Sequence, residues 1–347
     1  MISKSDLEKI LNLPDVILNK NRGFYGSYKV FSKYLGLKKT QDFIYGTFMH
    51  GWSPKEMNLY PEFIVCHNKK NSREYLERQD QVDFLRKKGF KNVYCIGNPI
   101  IYFPKINIKR IKNSLLIMPQ HFSSQTLEDL SEIEFAYTKF LKPIISKFDF
   151  VLLCLYSDDF KKGNYQALRQ LVKNTVEGAN IEDMNAYERM VKLFCKFEYV
   201  TTNYFGSHVA YGSYFGCKVS VIGPQYLQNT EMFIKKTQLF KNVSKDKNDA
   251  LINYQNEIIQ KKYPKIYKRF ICNPKNSKKN VEWGKLQLGE KYKKSPEELK
   301  KLLGLNNEWF YLCIIFRENK KEFIKKILMI LKLYNFIKKL LKYKIII

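Results

Sequence analysis

Residues 199–224 read YVTTNYFGSHVAYGSYFGCKVSVIGP, and the reading of the fold starts there. Glu198 to Thr202 is short and β-rich, which suits a buried strand. Asn203 is a residue type that opens turns or caps helices through its side chain. From Ser207 to Phe215, Val209, Ala210, Tyr211, Tyr214 and Phe215 allow a short helix, and Gly216 fits the left-handed position after its last turn. Cys217 to Ile222 reads as a second buried strand. Strand, tight turn, helix and strand predict a parallel pair joined by a right-handed crossover. In such units ligands sit beyond the strand C-termini, and the start of the helix offers free N–H groups to a phosphate. The plainer alternative is an ordinary crossover whose glycines only permit close packing.

Working outward, the same rhythm repeats. Pro14 to Leu18 reads as a first strand. The loop NRGFYGS leads to a helix over Tyr28 to Tyr34 that ends at Gly36. Strands are expected at Asp42 to Phe48, ending at His50-Gly51-Trp52, and at Glu62 to Cys66, ending at His67. Ser72 to Lys88 reads as one helix stopped by Gly89, and Asn92 to Ile96 as a strand ending at Gly97-Asn98-Pro99. After the basic hinge KINIKRIKNS come a strand at Ser114 to Met118, a helix over Glu128 to Ser146 and a strand at Asp149 to Leu155. Asp158-Asp159 follows in a loop. A helix near Tyr165 to Leu171, a short strand near Thr175 and a helix from Asp183 through Phe194 lead back to the opening stretch. The expectation is α/β, with two Rossmann-like domains facing a central cleft. Residues 1–108 form the acceptor-side domain, 109–293 the ligand-binding domain, and 294–347 a basic helical tail.

A chain of 347 residues exceeds the size at which one core usually splits, which supports two domains. The seven cysteines form no CxxC pair. Cys66, Cys95, Cys154 and Cys217 lie in apolar runs and read as reduced core thiols of a cytoplasmic protein. The N-terminus shows no signal-peptide pattern, and no uncharged apolar run reaches the roughly 18 residues of a membrane span. The formal net charge of +28 calls for a polyanionic neighbour, either a nucleic acid, a membrane face or an anionic substrate, unless it is a diffuse lysine surface. No nucleic-acid-binding signature is present, so no nucleic-acid partner is expected.

The four histidines, His50, His67, His121 and His208, each follow a predicted strand or open the next helix. Strand ends are where open α/β sheets build sites, although any one of these histidines can be structural. They are not paired at i, i+4 and no HExxH occurs, so no metal is expected. The absence of GxGxxG, GxxxxGK[ST] and GxSxG argues against a Rossmann oxidoreductase, a P-loop enzyme and a serine hydrolase.

The run TTNYFGSHVAYGSYFGCKVSVIG resembles the donor-binding end of GT-B glycosyltransferases. FIYGTFMHGW, YCIGNPIIY, SLLIMPQHFSS and VEWGKLQLG resemble capsule and lipopolysaccharide biosynthesis proteins of bacteria with that architecture. MPQHFSS is similar to a His-Pro motif of sialyl- and Kdo-type transferases, except that Phe122 follows His121. The resemblance implies a nucleotide-sugar donor, a glycan or lipid-linked glycan acceptor and no cofactor. It implies donor contacts at His121, Ser123, Asn203, Gly206, Ser207 and His208. Gly26, Asn98, Tyr156 and Asp158 are further candidate contacts with nucleotide or acceptor. His50, at a strand end of the other domain, is the candidate base in an inverting displacement. The alternatives are a nucleotide-sugar epimerase of the same architecture and, from the charge, a basic nucleic-acid-binding protein.

Ser295-Pro296-Glu297-Glu298 has the capping-box form. Beyond it, KKEFIKKILMILKLYNFIKKLLKYK (320–344) contains nine lysines and one acid. Phe323, Ile327, Ile330, Tyr334, Ile337 and Leu341 recur at helical spacing, with Lys321, Lys325, Lys332 and Lys339 on another side. That pattern suits an in-plane helix on an anionic leaflet, hence a peripheral place on the inner face of the membrane. The alternative is a helix packed on the enzyme.

Overall fold

The computed structural model describes residues 10–19, 23–38, 44, 46–49, 51–52, 70–104, 106–121, 130–223, 264–305 and 332. Two parallel sheets organise them. The smaller has the order β1–β2–β3, from Thr47–Phe48, Arg73–Leu76 and Asn92–Cys95. The larger has the order β6–β5–β4–β7–β8, from Thr175–Glu177, Phe150–Leu155, Ile111–Ile117, Phe197–Thr202 and Lys218–Val221. Both sheets are parallel in every pairing.

The larger sheet is doubly wound, and the alternation of its apolar residues shows why. Leu115, Ile117, Leu153 and Leu155 pack with Tyr137, Leu141 and Ile144 of α3 (Leu130–Ile145) and with Leu168 of α5 (Gln166–Leu171). Leu116, Leu152, Cys154 and Val200 belong to the opposite core, with Val191 and Phe194 of α6 (Ala186–Lys196) and Val209 and Ala210 of α7 (Ser207–Tyr214). Period-two side chains apolar on both faces require helices on both sides. A short helix, α4 (Ser157–Lys162), precedes α5. The crossover expected from residues 199–222 is present, and Gly216 holds φ 79 behind α7.

The smaller sheet corrects one expectation. Ser72 to Lys88 is not a single helix: Arg73–Leu76 is a strand, and only Gln79–Lys87 (α2, following α1 at Ser27–Tyr34) is helical. Glu, Leu and Arg favour helices, which hid the strand. Tertiary packing overrides that preference, because Tyr75 faces Phe48 while the next residue, Leu76, packs with Val82 and Leu85. The strand ends where the Gln81 side chain accepts from the N–H groups of Glu77 and Arg78 and starts α2. Two other expectations are also corrected. Pro14 to Leu18 forms no strand beyond an isolated bridge between Leu18 and Asp183. Asp158 and Asp159 stand in the first turn of α4, not in a loop. The strand expected at 62–66 lies outside the described residues.

Residues 264–305 return across both sheets through α8 (Pro264–Phe270), α9 (Val281–Leu288) and α10 (Pro296–Leu302). Gly284 of α9 lies so close to α7 that a methyl there would stand 2.4 Å from the Tyr214 nitrogen. At the end of α9 the Leu288 carbonyl accepts from Asn98 N–H at 2.9 Å, and at the end of α10 the Leu302 carbonyl accepts from Arg73 at 2.7 Å. The capping box at Ser295 and Glu298 forms as the sequence indicates.

Candidate functional site

In the order β6–β5–β4–β7–β8 the chain winds one way from β4 and the other way from β7. A crevice opens at the carboxyl end of such a reversal. A hydrogen bond bridges it: Gln120 N–H, after β4, donates to Asn203 Oδ1, after β7, at 2.9 Å. Both side chains are buried. Asn203 therefore ties two strand ends together, and α7 begins without a side-chain cap behind Gly206. The first N–H groups of α7 have no helical carbonyl before them, apart from Val209 N–H, which reaches the Gly206 carbonyl at 3.0 Å.

Around this point the sheet gathers the predicted polar residues. The exposed His121 ring lies 4.9 Å from the Tyr156 ring. Neighbouring groups crowd out part of its hydration, which lowers the His121 pKa, and Asp158 opposes that; because the residue is exposed, solvent screens both effects. Asp158 Oδ1 accepts from Asn180 Nδ2 at 3.4 Å. His208 turns back on its own loop, with Nε2 2.8 Å from Thr202 Oγ1 and 3.1 Å from the Tyr204 carbonyl oxygen. A carbonyl only accepts, so Nε2 carries the proton and Nδ1 the lone pair. Desolvation, reinforced by nearby His121, pulls the His208 pKa down to about 4, so the ring is neutral at pH 7.

The smaller sheet meets α7 at this corner. Trp52 N–H donates to Ser207 Oγ at 3.0 Å, and a methyl on Gly51 would stand 3.0 Å from the same oxygen. Asn98, fully buried after β3, reaches Tyr211 Oη of α7 at 3.4 Å. Tyr25 stands edge-on to Tyr187, with its N–H on the Ile181 carbonyl. Gly26 beside it is required sterically, since a methyl there would lie 2.1 Å from the Met184 carbonyl oxygen.

Thus His121, Tyr156, Asp158, Asn203, Gly206, Ser207 and His208 share one strand-end region, and Asn98 joins it through Tyr211. His50 and Ser123 lie outside the described residues. Two residues at the corner were not singled out from sequence, Glu77 and Tyr211. Glu77 is hidden inside the overlong helix, and Tyr211 stands in the sequence only as one of the residues that allow a short helix. Among the described residues no group of three or more His, Cys, Asp or Glu is placed to hold a metal ion. None of their five cysteines forms a disulfide, and no helix among them is long and apolar enough to cross a membrane.

No protein-family model matches the sequence. No curated protein matches it either. Among solved structures, the chain is similar to UDP-GlcNAc 2-epimerase from Neisseria meningitidis bound to UDP-GlcNAc, at 16% identity and a TM-score of 0.30. The similarity spans 62% of this chain and 59% of that one.

Proposed function

We propose that this chain is a nucleotide-sugar enzyme, and specifically a glycosyltransferase that passes a sugar from a nucleotide donor to a glycan acceptor. One observation carries the reading. The reversal point of the larger sheet, bridged by Gln120 and Asn203, opens beside the start of α7, and the strand ends of the smaller sheet close on that start through Trp52 and Ser207. The donor phosphates lie against the first turn of α7, where N–H groups and the helix dipole favour negative charge. His121 and Tyr156 supply a flat, partly open edge for the nucleotide. His208 is neutral and its N–H points inward, so it shapes the turn and offers only the Nδ1 lone pair.

Transfer needs stabilisation of the departing phosphate and removal of a proton from the acceptor hydroxyl. The first task falls to the start of α7. The second is assigned to His50, on sequence grounds. The reaction is an inverting displacement without a bound metal. The acceptor is a lipid-linked surface glycan, and the basic 320–344 segment holds the enzyme at the inner face of the membrane.

The test is a thermal-shift screen against UDP-, GDP-, CMP- and dTDP-sugars, followed by product analysis with and without a glycan acceptor. Stabilisation by one nucleotide class and acceptor-dependent transfer are expected. Interconversion of the free nucleotide-sugar would reassign the chain to epimerases, and no response to any nucleotide would remove the reading.

A further inference from the structure

Glu77 follows β2 and is 1% exposed. Asn98 Nδ2 donates to its Oε1 and also reaches the Gly51 carbonyl at 3.5 Å and Tyr211 Oη at 3.4 Å. The amide cannot turn round, because its Oδ1 accepts from Ile100 N–H at 3.0 Å. With Asn98 as donor, the Tyr211 hydroxyl is free to give its own proton, and it is bonded to Ser207 and Tyr187. Ser207 Oγ in turn accepts from Trp52 N–H. A buried polar chain therefore runs from Glu77 through Asn98 and Tyr211 to Ser207, joining the smaller sheet to the start of α7.

The charge on this chain is poorly compensated. The Arg78 guanidinium gives Nε to Asp80 at 3.1 Å and Nη1 to the Gln287 carbonyl at 3.0 Å, leaving only a 3.5 Å contact for Glu77 Oε2. Gln81 accepts from backbone N–H groups through its Oε1 and also hydrogen-bonds the Glu77 carboxyl, without carrying a charge to balance it. Cys95 of β3 faces the Glu77 carbonyl at 3.6 Å, while Tyr211 and Tyr187 face the carboxyl from α7 and α6. From the end of α9 and just beyond it, the Gln287 carbonyl accepts from Arg78 and Gly289 lies against the Glu77 carbonyl.

We propose that Glu77 is a positioning residue of the nucleotide site, acting through Asn98 and Tyr211 to orient the Ser207 hydroxyl and to hold the Gly51–Trp52 turn on α7. It does this as the neutral acid. Burial outweighs Arg78 and the Asn98 hydrogen bond, raising its pKa to about 8. Burial pushes the Cys95 thiol up to about 12 and raises both tyrosines, so among the groups named here that carboxyl is the one that titrates between pH 7 and 9. Ionised, it pulls on the Asn98 amide and sets a negative charge one short relay away from the phosphate position. The inference rests on the function proposed above for its probe, but the structural relay is separable from it.

Two measurements keep them apart. The first is calorimetric titration with UDP at pH 7, 8 and 9 on the wild type and Glu77→Gln. If only the protonated form is competent, wild-type affinity falls about tenfold at pH 9, one unit past the midpoint. Glu77→Gln removes that dependence. The second is tryptophan fluorescence of the ligand-free protein, which reads Trp52 on Ser207. A step centred near pH 8 in the wild type and absent in Glu77→Gln is expected. That step without any UDP binding would defeat the nucleotide reading and leave the relay standing. UDP binding with the same pH profile in both proteins, and no fluorescence difference, would overturn the relay and leave the nucleotide reading standing. Should Glu77→Gln fold poorly, Tyr211→Phe breaks the same relay while keeping the ring. Severalfold weaker UDP binding with a flattened profile supports the inference, and a wild-type profile overturns it.

Discussion

Gly289 presses on the carbonyl of Glu77 so closely that a methyl on its α-carbon would stand 1.8 Å from the oxygen. Its φ is +69, a conformation that side chains other than glycine rarely adopt. The segment after α9 thereby seals the turn between β2 and α2 and buries Glu77 beneath it. Gly289→Ala combines backbone strain with overpacking, each costing about 1–3 kcal/mol. Denaturant unfolding is expected to show a loss of about 2–5 kcal/mol, and a loss under about 0.5 kcal/mol would mean the segment is free to move off the turn.

Asp183 anchors the first described residues to α6. Its Oδ1 accepts from Ile17 and Asn185 N–H groups, both at 2.9 Å, and its Oδ2 receives Arg189 Nη2 at 3.1 Å. Both side chains are buried, and Arg189 also donates to the Pro14 carbonyl. Asp183→Asn leaves a buried guanidinium without its counter-charge, a loss of about 3–5 kcal/mol. The same unfolding measurement checks it. Asp183→Asn at wild-type stability would show that the 14–18 segment contributes no anchoring.

The acid limb of stability carries the signature of His208. Its folded pKa of about 4 lies below the ordinary 6.5, so the neutral ring contributes stability that is present above pH 6.5 and lost as the pH falls toward 4. Glu77 runs the other way: raised from 4.5 to about 8, it makes stability fall as pH rises through that window. The two slopes oppose each other between pH 4.5 and 6.5. Urea midpoints of wild type and His208→Asn at pH 4, 5, 6 and 7 separate them. The gap between the two proteins is expected to narrow as the pH falls, and a constant gap would mean that His208 is as solvated as in the unfolded chain.

Much of the larger sheet was legible, because parallel strands buried on both faces give short apolar runs bounded by glycine and polar turns. Residues 199–222 show strand, turn, helix and strand in plain order, and the clustering of His121, Tyr156, Asp158 and His208 follows from their strand-end positions. The smaller sheet was harder to read. Arg73–Leu76 is built from Arg, Glu, Tyr and Leu, and only its packing between Phe48 on one face and Val82 on the other makes it a strand. With that strand unread, Glu77 could not be recognised as a strand-end residue. Asn98 was recognised as a candidate contact, but its place as a buried junction depends on Tyr211, which lies 113 positions away in the chain. The side chain of Asn203, expected to open a turn or cap α7, instead serves a neighbouring strand end, a choice fixed by the sheet order.

The last prediction concerns the basic segment 320–344, which lies outside the described residues apart from Lys332. Its nine lysines, single acid and apolar stripe are sequence facts. The described contacts that close the fold come earlier: Leu299 and Leu303 are buried, and Tyr75 Oη donates to the Leu302 carbonyl at 2.5 Å. A chain ending at Asn319 is therefore expected to fold, with an unfolding midpoint within a few degrees of the full chain. It is expected to lose binding to vesicles rich in anionic lipid, which the full chain binds. Each basic residue near such a surface adds about 1 kcal/mol of attraction. Screening shortens its reach to about 10 Å at 0.1 M salt, so a salt titration should release the full chain over an ordinary range. Donor binding, which depends on α7 and the strand ends, should survive the truncation. Aggregation or unfolding of the shortened chain would place the apolar stripe against the enzyme body, and equal vesicle binding by both chains would make the charge of +28 a diffuse surface property with no dedicated membrane segment.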